Sequence, residues 1–307
     1  MVPTWWSFPM VSAHMIALMA QVRQWASSDL TVLILGETGT GKSMLARQMH
    51  AWSPRANRPF VEIDCGTVPD TLAEHEFFGS EKGAFTGATG KATGRIMEAN
   101  HGTLLLDEVQ NLQMRGQTCL LGLFDTHMAY PIGSTKRISL DIRTVVTSNQ
   151  DLRVWSSDRR FREDLYHRIN AITVTLPPLR ERRDDLLPLA TTWLSRYAVA
   201  VQRPAYPLSD RAQRRLLAHE WLGNIRELTW CLQRAALSCK GPYTEPDDLF
   251  DTHDSPESIA SPNVRTTCVL PSGAETKSNS ASTTTLNSAP RPLEDGRTDL
   301  HLSPEER

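Results

Sequence analysis

The sequence has no Cys-x-x-Cys pair among its five cysteines, and none of them has a histidine at zinc-ligand spacing. This absence argues against a zinc site and against a disulfide framework, and it favours free thiols in a reducing compartment. No stretch approaches 18 consecutive apolar residues, and the first ten residues, MVPTWWSFPM, contain no basic residue. These absences exclude a membrane-spanning helix and a secretory signal, so we expect a cytoplasmic protein with no membrane partner.

A strong excess of charge is also missing, because the formal net charge is −2. This value excludes a protein that coats nucleic acid, although it leaves room for a local basic site. The last 57 residues, 251–307, lack aromatic residues and hold nine Ser, eight Thr and six Pro. Such a segment cannot bury enough apolar surface to offset the entropy of ordering, so we expect it to be disordered.

The first 178 residues alternate short apolar runs with helical patterns, which predicts an α/β domain whose parallel sheet is covered by helices on both faces. The predicted strands are 32–35, 60–63, 103–107, 142–147 and 171–176. After Pro178 the strand signals stop, and helices are predicted at 184–199, 209–219 and 224–238. Asn224 followed by Glu227 is typical of a capping box at the start of the last helix. We therefore predict an α/β domain over residues 1–178, a small α-helical domain over 179–250 and a disordered tail over 251–307.

Residues 36–43 fit the phosphate-binding motif G-x-x-x-x-G-K-[ST] at every fixed position, between a predicted strand and a predicted helix. In such a loop, backbone N–H groups wrap phosphates, Lys42 reaches the outer phosphates and Ser43 holds Mg²⁺. A glycine-rich turn that binds nothing is the alternative. The residues predicted to bind ATP here are Gly36, Glu37, Thr38, Gly39, Thr40, Gly41, Lys42 and Ser43.

Two carboxylates, Asp107 and Glu108, end the apolar strand that follows 65 residues after Lys42. In P-loop ATPases the first acid of such a pair supports the metal and the second orients the attacking water. Alone, an apolar run that ends in Asp-Glu is usually just a strand end. Downstream of a complete phosphate-binding loop it predicts a site that hydrolyses ATP with Mg²⁺, rather than one that only binds nucleotide.

A glycine-rich stretch at residues 83–88 places one aromatic side chain among small residues: Gly83, Ala84, Phe85, Thr86, Gly87 and Ala88. Glycines on both sides favour a mobile loop that presents the aromatic ring to a partner. A hairpin whose phenylalanine packs into the core is the alternative, and spacing alone does not separate the two.

That hexapeptide carries a resemblance to a known family. The chain resembles, over about residues 10–250, the AAA+ ATPase domain of bacterial sigma-54-dependent transcription activators, the enhancer-binding proteins. Further matching stretches are 102–108, 161–168, 176–182 and 221–228. The resemblance implies an AAA+ P-loop NTPase fold with a small α-helical lid. It also implies that loop 83–88 contacts sigma-54, and that ATP hydrolysis remodels the closed promoter complex.

The same resemblance implies roles that the residue pattern alone could not assign. Arg162 and Arg168 lie where the family has arginines that reach a neighbouring subunit's nucleotide. The alternative is a pair of surface arginines on a helix, bonded to Glu163 or Asp164. Asn149 lies where a polar residue senses the γ-phosphate, and Arg226 lies where a second sensor contacts nucleotide. Asp64 replaces the usual Asn that pairs with the catalytic glutamate. Two carboxylates placed there would repel each other unless one is protonated or a cation lies between them.

The implied partners are the sigma-54 RNA polymerase holoenzyme and other subunits, as a hexameric homo-oligomer or as a hetero-oligomer with a related activator. Promoter DNA would be reached only indirectly, because no helix-turn-helix pattern is visible after residue 250. Gly122, Pro131 and Leu222 also depart from the family pattern. Two alternatives therefore stay open: an AAA+ remodeller of another protein, and a regulatory subunit that assembles with a complete activator.

Overall fold

The structure, a computed structural model, describes residues 9–84 and 90–250. The strands within these residues are β1 (Val32–Leu35), β2 (Phe60–Asp64), β3 (Gly79–Ser80), β4 (Ala92–Thr93), β5 (Thr103–Asp107), β6 (Met128–Ala129), β7 (Ile138–Ser139), β8 (Arg143–Ser148) and β9 (Ile172–Thr175). The helices are α1 (Ala13–Ala26), α2 (Lys42–Trp52), α3 (Ala73–Phe78), α4 (Arg95–Glu98), α5 (Met114–Thr126), α6 (Leu152–Ser157), α7 (Glu163–Ile169), α8 (Leu186–Ala200), α9 (Asp210–Ala218), α10 (Asn224–Ser238) and α11 (Pro246–Leu249). In the described part of the chain no helix is both long and apolar enough to cross a membrane.

The five predicted strands form one sheet in the order β2-β5-β8-β1-β9. All four strand pairs are parallel, as continuous apolar runs separated by helices predict. The carboxyl ends of parallel strands meet at one edge of a sheet. The segments that follow β1, β2, β5 and β8 therefore gather there, and these segments carry the predicted site residues.

Each face of the sheet packs on its own hydrophobic core, and neighbouring strand residues alternate between the two cores. Leu33, Leu104 and Leu106 belong to the core that includes α3, α5 and α7. Ile34 and Leu105 belong to the opposite core, with α1 and α2. The predicted sandwich of a parallel sheet between helices is confirmed, and α1 and α5 are helices that the sequence pattern did not reveal.

The start of β8 is tied to the end of α1 by a buried arginine. The Arg143 guanidinium, 1% exposed, donates to the carbonyls of Ala26 at 2.5 Å and Trp25 at 3.0 Å. Carbonyls at the end of a helix have no partner within the helix, and a cation there is favourable. Burial lowers the pKa of Arg143, which still binds as a charged capping group. This contact fixes α1 against the sheet.

A third core belongs to the helices that follow β9. Leu189, Trp221 and Leu228 are among its members, and the Trp221 indole donates to the Leu216 carbonyl at 2.9 Å. The three predicted helices are present as α8, α9 and α10, and the Ser209 hydroxyl caps α9 by accepting from Ala212 N.

The predicted capping box at α10 was wrong. Gly223 is the N-cap residue, and no side chain caps this helix end. Asn224 is the first helical residue, and its side chain bonds to residues from other parts of the chain instead. Glu227 still accepts from the Gly223 N–H at 2.8 Å. A tertiary use of the asparagine side chain has displaced its local capping use.

Two predictions lie outside the described residues. They are the disorder of residues 251–307 and the placement of Phe85, Thr86, Gly87 and Ala88 at the tip of the glycine-rich loop. The predicted domain boundary between residues 178 and 179 also stays a prediction.

Candidate functional site: a phosphate-binding cleft

The glycine-rich segment after β1 has a backbone that only glycine adopts without strain. Gly39 and Gly41 have φ values of +81° and +104°, and Gly41 leads directly into α2. A side chain at Gly39 would also place its Cβ atom 2.3 Å from the Gly223 carbonyl oxygen. The first N–H groups of α2 have no acceptor within the helix, so they are available to an anion.

Lys42 lies buried at the start of this helix, with 5% of its surface exposed. Its Nζ donates to the carbonyls of Gly36 at 2.9 Å and Glu37 at 3.2 Å, and lies 3.5 Å from Glu108 Oε1. Burial lowers the pKa of Lys42, and the charges of Glu108 and Asp107 oppose that shift. These contacts place the ammonium group where a bound phosphate would compete for it.

The strand β5 delivers Asp107 next to the phosphate-binding loop. Ser43 Oγ lies 3.1 Å from both oxygens of the Asp107 carboxylate. Thr147, on the neighbouring strand β8, donates its hydroxyl to Asp107 Oδ1 at 2.5 Å and accepts from Glu108 N at 2.9 Å. Thr147 is fully buried. It fixes both members of the acidic pair, and the sequence pattern gave no sign of that role.

Glu108 has a left-handed backbone, with a φ of +55°, and it lines the cleft. Its carboxylate lies between Lys42 and the side chain of Gln110, whose Nε2 donates to Glu108 Oε2 at 2.5 Å. The two acids therefore have different surroundings. Asp107 faces hydroxyl groups, and Glu108 faces an ammonium and an amide.

Asp64 lies at the end of β2, in register with Asp107 on β5. It lines the same cleft as Glu108. Asp64 Oδ1 accepts from Gly66 N at 2.9 Å, and the amide donor that Glu108 uses comes from Gln110. The structure thus gives the two carboxylates separate donors. The catalytic role of Asp64 stays a prediction.

The cleft that these residues line has a volume of about 1010 Å³. Arg226 lines it from α10, where its side chain is exposed, and its charge contributes to lowering the pKa of Lys42. Asn149, just after β8, donates to Thr38 Oγ1 at 3.1 Å. Arg226 and Asn149 both lie beside the phosphate-binding loop, and their roles as sensors stay a prediction.

Arg162 and Arg168 do not line this cleft in the described chain. Arg162 donates to both oxygens of Asp164, at 3.0 and 2.7 Å, and these bonds raise its pKa. Arg168 pairs with Asp125 at 2.8 Å and is 58% exposed. Within one chain Arg162 matches the alternative of a surface arginine bonded to Asp164, whereas Arg168 uses Asp125, a carboxylate that the alternative did not name. The action of both arginines on a neighbouring subunit stays a prediction.

The segment after β9 and the start of α10 bind directly to the phosphate-binding loop. Arg180 donates two hydrogen bonds to Glu37, at 2.6 and 2.8 Å, and the Asn224 amide donates to Glu37 Oε2 at 3.1 Å. These contacts, led by the bonds from Arg180, lower the pKa of Glu37 to about 2. Asn224 also donates to the Thr38 carbonyl at 3.1 Å and accepts from Leu179 N at 2.8 Å. The sequence pattern did not reveal this contact, because its partners lie far apart along the chain.

A second, mostly apolar cavity of about 330 Å³ lies beside Thr40 and Gly41. Four methionines are among the residues that line it: Met10, Met15, Met19 and Met44. Arg182 closes one wall, donating to the Thr40 carbonyl at 3.0 Å. A flat, apolar ligand group joined to phosphates could occupy this cavity while the phosphates lie on the loop.

The glycine-rich loop starts from an arm that is anchored on a second loop. Ala84 N donates to the Glu81 carbonyl at 3.2 Å, and Glu81 N donates to the Ile132 carbonyl at 2.9 Å. Gly133, with a φ of +79°, lies against Ala84, because a Cβ atom built there would be 2.8 Å from that of Ala84. These contacts hold the start of the glycine-rich loop, Gly83 and Ala84, against residues 132 and 133.

The residues present fit a magnesium nucleotide. Ser43 and Asp107 supply hard oxygen atoms side by side, which Mg²⁺ prefers, and Lys42 supplies the positive charge for phosphate. The parallel sheet, the phosphate-binding loop and the helical segment after β9 together define a P-loop NTPase of the AAA+ class.

Comparisons with known proteins agree with this class. The family described as "Sigma-54 interaction domain" matches residues 9–175, and the "AAA+ ATPase lid domain" matches residues 180–265. The chain therefore belongs to the sigma-54 interaction domain family.

Among its relatives, the transcriptional regulatory protein FlbD of Caulobacter vibrioides is 43% identical over 222 residues, which cover 72% of this chain and 49% of FlbD. The sigma54-dependent transcriptional regulator SfnR of Pseudomonas fluorescens is 41% identical over 76% of this chain and 64% of its own length. The crystal structure of NtrX from Brucella abortus in complex with ADP has a TM-score of 0.74 at 28% identity, covering 82% of this chain and 57% of NtrX. The chain thus spans from about half to just under two thirds of these relatives.

Proposed function

We propose that the chain hydrolyses ATP and uses the energy to remodel sigma-54 RNA polymerase closed complexes during transcription initiation in the cytoplasm. The observation that carries the proposal is the single cleft in which Lys42, Ser43, Asp107 and Glu108 meet. Membership of the sigma-54 interaction domain family supplies the partner. NtrX, a structural relative at 30% identity, was crystallised in complex with ATP.

Each side chain has a task in this proposal. The N–H groups around Gly41 and the Lys42 ammonium bind the phosphates, and the methionine-lined cavity accepts the base. Ser43 and Asp107 hold Mg²⁺, which when bound would neutralise charge on the phosphate oxygens. Glu108 accepts a hydrogen bond from the attacking water and orients it toward the γ-phosphate.

A ring of identical subunits, as a hexamer, would complete this site. Arg162 and Arg168 are part of the site that we propose. Neither lines its own cleft, and both side chains are partly exposed. An arginine that reaches a neighbour's γ-phosphate can contribute about 10³–10⁵ in rate in other NTPases. To do so, each must leave its own carboxylate, Asp164 or Asp125, for the phosphate.

ATP hydrolysis is tested with Glu108→Gln. This variant keeps the shape of the side chain and loses the charge that orients water, so ATP should bind with its affinity unchanged. Turnover should fall at least tenfold, because water orientation is a transition-state contribution. Turnover equal to that of the wild type would show that Glu108 is not the catalytic acid.

The contact with sigma-54 is tested with Thr86→Ala, because loop 83–88 is the segment proposed to bind sigma-54. Hydrolysis should stay within a few-fold of the wild type, while binding to sigma-54 in the presence of a transition-state mimic of ATP, and open-complex formation, should be lost. A Thr86→Ala chain that still engages sigma-54 fully would favour the alternative of an AAA+ remodeller that acts on another protein.

A further inference from the structure

Gln110 is a buried amide that the phosphate-binding motifs do not account for. It lies in the short 3₁₀ turn Val109–Asn111 and is 5% exposed. Its Nε2 donates to Glu108 Oε2 at 2.5 Å, while its Oε1 is buried with no hydrogen-bond partner. Burying the Gln110 oxygen without a hydrogen-bond donor raises the free energy of the folded state. The hydrogen bond from Gln110 to Glu108 is the contact that offsets this cost.

Glu108 has little freedom besides its side-chain torsions. Its φ of +55° and the bond from its N–H to Thr147 Oγ1 fix the backbone. The side chain then has two partners, the Lys42 ammonium at 3.5 Å and the Gln110 amide at 2.5 Å. The contacts with Lys42 and Gln110 set the side-chain torsions of Glu108, and these torsions determine the direction of its carboxylate.

A bound phosphate would change this balance. Lys42 is the cation of the phosphate-binding loop that lines the cleft, so an incoming phosphate attracts its ammonium away from Glu108. Gln110 carries no charge and does not line the cleft, so phosphate does not compete for it. Asp64 cannot replace it, because a carboxylate donates no hydrogen bond and its Oδ1 already accepts from Gly66 N.

We propose that Gln110 is a positioning residue that holds the Glu108 carboxylate in its water-orienting direction after Lys42 has moved to the phosphates. This inference rests on the proposed function, and it assigns to residue 110 the amide donor that Asp64 cannot supply. It makes Gln110 a determinant of turnover and leaves nucleotide affinity to the phosphate-binding loop.

The test compares Gln110→Met, which keeps the length of the side chain and removes the donor, with Gln110→Glu, which adds a like charge beside Glu108. We expect kcat for ATP to fall about tenfold in the first variant and further in the second, with KM and ATP affinity within twofold of the wild type. Gln113→Met is the matched control, because Gln113 is exposed and caps α5 without a side-chain bond. Wild-type kcat in Gln110→Met would overturn the inference.

A double-mutant cycle separates positioning from general structural damage. In the Glu108→Gln background, Gln110→Met should reduce the residual turnover by less than twofold, because the amide then has no carboxylate to position. A further tenfold loss there would show that Gln110 acts elsewhere. If Glu108→Gln is as active as the wild type, the catalytic role proposed for Glu108 fails. If only Gln110→Met is fully active, this inference alone fails.

A second measurement does not depend on hydrolysis or on the folding of a variant. In a crystal structure of the wild-type chain with a non-hydrolysable ATP analogue, Lys42 Nζ should lie on the phosphates. Gln110 Nε2 should remain within about 3.2 Å of the Glu108 carboxylate, the normal limit for a hydrogen bond. A Glu108 side chain that has left Gln110 in that complex would overturn the inference.

Discussion

Asn224 offers the sharpest test of how the phosphate-binding loop is held. Its side chain is completely buried, accepts from Leu179 N at 2.8 Å and donates to the Thr38 carbonyl and to Glu37. Its φ is +54°, a left-handed conformation that asparagine tolerates better than alanine. Replacing Asn224 therefore changes both the hydrogen bonds and the backbone strain.

The cost of Asn224→Ala follows from these contacts. Leaving the Leu179 N–H buried without an acceptor costs about 1–3 kcal/mol, and the left-handed backbone costs an alanine about 1–2 kcal/mol. The sum, roughly 2–5 kcal/mol, is a large part of a typical folding free energy of about 5–15 kcal/mol. Asn224→Gly loses the same hydrogen bonds without the strain, so it should be about 1 kcal/mol more stable than Asn224→Ala.

Urea unfolding of the three chains measures these differences, and Leu222→Ala, at an exposed neighbouring position, is the control. An ATP titration of Asn224→Gly is the second assay. Because the Thr38 carbonyl loses its donor, affinity should fall about tenfold, equivalent to ~1.4 kcal/mol. A glycine variant less stable than the alanine variant, or an alanine variant as stable as the wild type, would refute this reasoning.

Two further predictions concern the charges at the loop and the acidic pair. Arg180→Met should destabilise the chain at neutral pH, and the difference in unfolding free energy should fade as the pH falls from about 4.5 to about 2, because Glu37 stays ionised in the fold and is protonated in the unfolded chain over that interval. A difference that stays constant across this interval, measured by urea unfolding, would contradict the assigned pKa shift. Thr147→Val keeps the shape of the side chain but loses both hydrogen bonds to the acidic pair, so kcat for ATP should fall about tenfold while Thr147→Ser stays close to the wild type. Unchanged turnover of the valine variant would mean that Asp107 needs no support from β8.

The centre of the sheet could be predicted from the sequence because β5, β8 and β1 are buried on both faces. Residues 104–106 form a continuous apolar run for that reason, and the predicted and observed strands coincide over 103–107. The helix α1 escaped prediction because its apolar residues do not form one stripe. Met15 and Val22 are buried, while Ile16 between them is 52% exposed. Periodicity reports burial, and it fails where apolar residues also face outward.

The residues of the site also fall into a group that the sequence could predict and a group that it could not. Lys42 and Glu108 belong to local motifs, so their places in the cleft could be predicted. Thr147, Asn224 and Gln110 lie outside the phosphate-binding loop and the acidic pair, and they act on these motifs through hydrogen bonds. Asn224 reaches the phosphate-binding loop across more than 180 residues. The capping box failed for the same reason, since a side chain with one suitable local partner found better partners elsewhere.

The alternation of side chains along β5 also fixes the position of Asp107 along the strand. Leu104 and Leu106 belong to one core and Leu105 to the other, so a slip of one residue along β8 would turn each leucine toward the wrong core. The same slip would carry Asp107 about 3.3 Å along the strand, which is farther than its 3.1 Å contact with Ser43. Packing far below the cleft therefore sets the spacing of the phosphate-handling groups. An insertion or deletion of a single residue within β5 would uncouple the carboxylates from the phosphate-binding loop even if the chain repacked both cores.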